Sequence, residues 1–192
     1  MKKILLWLLA ASLMILPLGV VAEESAVQLP LGVQFGMTLE EAAAVIGEGA
    51  QVEEWYPDDP VLYGVGSIFV ENVPLGIGDL QAAFASFEVN RSNSPREPRL
   101  AYITLSLAYE GNCIAAFRSA LADLTAVYGQ PDGDPFDEYA RESYQEYGNL
   151  DASWTLPDTR IHLSMNQALW ENGSIDLSYA YRLCYDLSDL DQ

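Results

Sequence analysis

The residues best suited to nucleophilic or proton-transfer chemistry in this chain are two cysteines, Cys113 and Cys184, and a single histidine, His162. Cys113 follows Asn112, a good N-cap, at the start of a predicted helix. There the helix dipole and the free backbone N–H groups favour a thiolate. His162 falls in a predicted strand, and Asp176 or Asn166 is placed to orient its ring. Cys113, His162 and Asp176 thus make one candidate catalytic set, with a thiol at a helix start and a base on a later strand. The competing reading of the same thiols is a disulfide between Cys113 and Cys184, the default for two cysteines in an oxidising compartment. Strand parity opposes that bridge: in a regular last strand Cys184 points with Asp176, Ser178 and Arg182, away from the helix side.

Other chemistries find less material. Asp132, Asp134, Asp137 and Glu138 form an acidic loop whose oxygens suit a hard cation, but the loop lacks the central glycine and the twelfth-position glutamate of an EF-hand. One histidine and two distant cysteines are too few ligands for zinc, and no metal site is expected. Gly64-Val65-Gly66 and Gly76-Ile77-Gly78 precede predicted strands, not helices bearing lysine, so no phosphate loop and no cofactor are expected.

The elements that must hold these residues follow from the hydrophobic pattern. Lys2 and Lys3, the apolar run Ile4 to Leu16 and the small residues around Ala22 read as a cleavable signal peptide over residues 1–22. Residues 23–192 form a single domain, with 23–30 as a lead-in. Thr38 with Glu41 predicts a capping box and a helix to about Ile46. Ile114, Phe117, Leu121, Leu124 and Tyr128 recur at helical spacing from Asn112 to Gly129. Strands are predicted near 52–56, 65–70, 81–89, 99–109, 152–156, 160–166 and 174–182. Each half, about 31–110 and 111–185, reads as a helix followed by about three strands. The fold class is α+β: an antiparallel sheet with helices packed on one face and two tandem units in its architecture.

Alternation assigns Ile103, Leu105 and Leu107, Ile161, Leu163 and Met165, and Ile175, Leu177 and Tyr179 to the covered face. The opposite face carries Tyr102, Thr104, His162, Ser164, Asp176 and Arg182, which are the candidate binding residues. Tyr139, Tyr144, Tyr147 and Trp170 lie outside the apolar stripes, where aromatic side chains serve partners, stack on sugars or pack loops over the core.

The phrase Leu31-Gly32-Val33-Gln34-Phe35-Gly36-Met37-Thr38-Leu39-Glu40-Glu41, running into a helix that ends at Gly47, resembles the repeat opener of β-lactamase-inhibitor-like proteins. It is also similar to outer-membrane assembly lipoproteins of the SmpA/OmlA type. The resemblance implies an exported domain that binds protein through its sheet or loops, without catalysis. It carries over no binding residue.

Charge bounds the partners. The chain has 28 acidic against 9 basic residues, a formal charge of −19, and both lysines lie in the predicted leader. Such a surface repels nucleic acid and anionic lipid. At 50% hydrophobic residues the chain folds. The leading expectation is therefore an exported, non-enzymatic domain of the periplasm, cell surface or extracellular space. It would recognise a protein or another envelope component, with no stable membrane insertion after leader cleavage. A hydrolase using Cys113 and His162, or a carbohydrate-binding module, are the alternatives.

Overall fold

The computed structural model describes residues 27–56, 58, 64–90, 98–167 and 173–181. The predicted leader, Trp170, Arg182 and Cys184 lie outside the described residues. A short 3-10 turn, Pro30–Gly32, leads into α1 (Leu39–Ile46). Four strands follow: β1 (Gln51–Glu54), β2 (Gly66–Pro74), β3 (Gln81–Asn90) and β4 (Arg99–Leu107). The second half runs α2 (Cys113–Tyr128), α3 (Glu138–Tyr147), β5 (Asn149–Thr155), β6 (Thr159–Asn166) and β7 (Ser174–Tyr181).

All seven strands join one antiparallel sheet in the order β1-β2-β3-β4-β7-β6-β5. Each half is a meander, and the last strands of the two meanders, β4 and β7, pair at the centre. The α+β class and the antiparallel sheet are as the alternation predicts.

The helices start where their caps dictate. The Thr38 hydroxyl accepts from the Glu41 N–H at 3.2 Å, and the Glu41 carboxylate accepts from the Thr38 N–H at 2.9 Å. Such a box stabilises a helix by about 1 kcal/mol. Asn112 caps α2 through the Ala115 N–H. Helix α1 buries Leu39 and Ala42 over β2 and β4, and α2 buries Cys113, Phe117, Ala120 and Leu124 over β6 and β7. These side chains share one hydrophobic cluster with Ile68, Phe87, Ile103, Leu105, Ile161, Leu163, Leu177 and Tyr179 from the covered sheet face.

Three features depart from the sequence expectation. The end of the lead-in belongs to the core, since Leu29 and Pro30 are buried. Two bulges break the β3–β4 register, at Ala82/Phe84 and at Glu88/Val89. Each resets the in/out parity, so Ala82 and Ala85, three apart, both face the core, as do Leu100 and Ile103. The third is α3, which lies where only an acidic loop and tyrosines are expected. Asp137 caps it through the Ala140 N–H, it buries no residue fully, and it packs beside the edge strand β5 rather than over the sheet.

Cys113 is buried, with Sγ 3.7 Å from the Ser174 carbonyl oxygen at the start of β7. A Cβ on Gly173, which holds φ +77°, would stand 3.0 Å from that sulfur, so glycine suits the position both sterically and conformationally. The predicted disulfide needs Cys184, which lies outside the described residues; Cys113 itself is a free, buried thiol. Without reductant, Cys113 should therefore be alkylated once the protein is denatured and resist alkylation while it is folded. A Cys113 that labels only after reduction would contradict a free thiol.

Candidate functional site

Because the helices among the described residues cover only one face, the other presents side chains set by strand register. One row crosses the sheet as Phe69, Ser86, Thr104, Ser178, His162 and Ser153. The next is Glu71, Phe84, Ser106, Asp176, Ser164 and Asp151. Tyr102 and Thr104 from β4, His162 and Ser164 from β6, and Asp176 from β7 all lie on this face, partly exposed. The sixth candidate, Arg182, is outside the described residues.

The face divides by chemistry. On the β2–β3 side Phe69 and Phe84 stack at 5.4 Å between ring centroids, and Phe84 is 40% exposed. Towards β5 the rows turn to hydroxyls, carboxylates and imidazole. The Ser106 hydroxyl donates to Asp176 Oδ1 at 2.8 Å, tying β4 to β7 across the centre. His162 Nε2 lies 3.1 Å from Asp151 Oδ1. Asp151 faces Ser164 in the register and reaches the imidazole diagonally. Both side chains are well exposed, so the pair contributes less than about 1 kcal/mol to stability.

The candidate catalytic set is not assembled. Cys113 is buried in the core on the helix-covered side, whereas His162 alternates with buried Ile161 and Leu163 and faces the other way. Asp176 is bonded to Ser106, and the carboxylate that reaches His162 is Asp151. The sheet stands between thiol and imidazole. The Tyr109 phenol shares a hydrogen bond with Cys113, and burial first, then that bond, pushes its titration up to about 12.

Beside His162 a groove of about 330 Å³ runs along β5, lined by Asp134, Asp137, Tyr139, Asp151, Ser153 and Arg160 among others. Most carboxylates of the acidic loop are occupied by backbone. Asp132 binds the Thr155 N–H and hydroxyl, and its own N–H donates to Ser153 O, strapping the loop onto the open edge of β5. Asp134 accepts from the Phe136 N–H, and Asp137 caps α3. Among the described residues no group of three or more His, Cys, Asp or Glu is arranged to hold a metal ion. Of the tyrosines, Tyr139 is 80% exposed at the groove, and the Tyr144 hydroxyl donates to Gln167 Oε1 at 2.5 Å.

Asp151, Arg160, Phe69 and Phe84 are the face residues that sequence reasoning missed. The alternation Leu150, Ala152, Trp154, all buried, carried the signal for Asp151. Starting the strand at residue 149 instead of 152 places it on the open face.

No protein-family model, no curated protein and no solved structure matches the chain. Among the described residues no helix is long and apolar enough to cross a membrane.

Glu88 also lies on this face, between Ser67 of β2 and Tyr102 of β4, neither of which is basic. Partial burial holds its carboxyl above the ordinary range. The folded state therefore keeps a proton that the unfolded chain has released. The stability linked to Glu88 is complete at acid pH and falls as pH rises from the usual carboxylate range to the raised folded value. Glu88→Gln should melt at a higher temperature than the parent at pH 7, with the gain vanishing at a pH below about 4. A gain of the same size at both pH values would contradict a titration origin.

Proposed function

We propose that this chain is an exported, non-enzymatic binding domain that recognises a protein or another envelope component through the uncovered face of its sheet. The observation that carries this reading is the one-sided packing. Helices α1 and α2 bury one face, while the other presents Phe69, Phe84 and Tyr102 beside a field of hydroxyls, carboxylates and His162. Aromatic anchors next to mixed hydrogen-bonding groups are the composition that protein-binding surfaces favour. A rigid sheet presents them with little entropy to lose on binding.

The leader-like residues 1–22 support export, and the resemblance of the Gly36-Met37-Thr38 opener to exported binding domains points the same way. The strong negative charge favours a partner with a basic or neutral contact surface. The hydrolase alternative loses its support with Cys113 and His162 on opposite sides of the sheet.

The test is capture from envelope extracts of the source cells with immobilised full-length protein. Thr104→Arg and Ser164→Arg place bulky charge in the middle of the face, on side chains that pack no core residue. Each should cut capture of the specific partner by about tenfold or more with the melting temperature little changed. Capture that survives both substitutions, or that is lost only when α2 surface residues such as Val127 are changed, would place the binding surface elsewhere.

A further inference from the structure

A second site lies away from the open face, in the cleft between α2 and α3. Ile114 and Arg118, one turn apart on α2, face Arg141, Tyr144 and Gln145 on α3. Phe136 and Leu150 complete a cavity of about 240 Å³. Its ionisable lining is unusual for this chain: two arginines and no carboxylate. The groove by His162 has the opposite balance, with three aspartates to one arginine.

Neither guanidinium has a carboxylate partner among the described residues. Among the described residues, Arg118 and Arg141 make no ion pair, although the chain carries 28 acidic residues. Both side chains are solvent-exposed, and an anion between two cations on facing helices is attracted to each of them. Arg118 is also held in place, since its guanidinium carbon lies 5.0 Å from the centroid of the Phe136 ring. That contact fixes the planar fork without consuming its N–H donors. Phe136 is itself set edge-on against buried Phe117, so the ring has a rigid backing. Arginine forks bind carboxylates through paired, charge-assisted hydrogen bonds. Ile114, Phe136 and Leu150 supply an apolar wall beside them.

We propose that this cleft binds a small organic carboxylate with an apolar body. Arg118 and Arg141 hold the carboxylate, and the apolar wall takes the rest of the molecule. The volume is below that of a drug-sized site and suits a ligand of about ten non-hydrogen atoms. The site is separate from the face assigned to partner binding, so each can fail without the other.

Phenylacetate is the probe, titrated into the full-length protein and followed by amide chemical shifts. Saturable shifts should concentrate at 114–118 and 141–145, with Kd in the millimolar range or tighter. The neutral isostere phenylacetamide should bind about five- to tenfold more weakly, because it lacks the charge the arginines read. Arg118→Gln and Arg141→Gln should each weaken phenylacetate by a similar factor, and the double variant should abolish saturation. Thr104→Arg on the open face should leave the affinity unchanged. The proposal is overturned if no saturable binding occurs, if phenylacetamide binds as well as phenylacetate, or if the double variant binds like the parent. The isostere comparison needs no variant and decides the matter even where a substitution disturbs folding.

Discussion

The seam between β4 and β7 is the constraint on which the rest of this molecule depends. It is where the two meanders meet, and its register fixes both faces at once. On one side Ile103 pairs with Tyr179 and Leu105 with Leu177, all fully buried. On the other, Thr104 pairs with Ser178 and Ser106 with Asp176, the latter pair closed by a 2.8 Å hydrogen bond. A slip of one residue would turn hydroxyls and a carboxylate into the core and leucines into water. With α1 resting over β2 and β4 and α2 over β6 and β7, the helical layer inherits its position from the same pairing.

The functional consequences follow from that two-sidedness. Residue types that together suggest thiol hydrolysis are divided by the sheet, so Cys113 packs at the foot of β7 while His162 meets Asp151 in the open. The negative charge is put to structural use at several places. Asp132 straps a loop to the edge of β5, Asp137 caps α3 and Glu41 closes a capping box. The strap and α3 together cover an edge strand that would otherwise offer unpaired backbone groups to other chains. The same α3 that shields this edge brings Arg141 towards Arg118, so a device for protecting the sheet also builds a cationic cleft.

Much of this was legible in the sequence because the signals were local. The spacing Phe117, Leu121, Leu124 belongs to a helix lying on a core, and Ile161, Leu163, Met165 can only be a strand with one buried side. Thr38 and Glu41 announce a helix start whatever surrounds them. What stayed hidden depends on tertiary context. The bulges at Ala83 and Ala101 shift parity through residues too small to mark it. Helix α3 has only a short apolar stripe, Ala140 and Tyr144 against the core, and Glu138–Tyr147 buries nothing fully. With α3 and the true start of β5 unread, neither the Asp151 partner of His162 nor the arginine cleft was within reach. Leu29 reads as part of a loose lead-in because no periodicity surrounds it, yet it is buried.

The sheet's one covered and one open face are directly measurable. Single cysteines placed in turn at positions 161 to 166 of β6, with labelling rates read peptide by peptide in the folded protein, report the face of each side chain. The account predicts fast labelling at 162, 164 and 166 and slow labelling at 161, 163 and 165. Rates that fail to alternate, or that are uniformly slow, would mean that the face carrying His162 and Ser164 is covered, and the binding surface inferred from it would not exist.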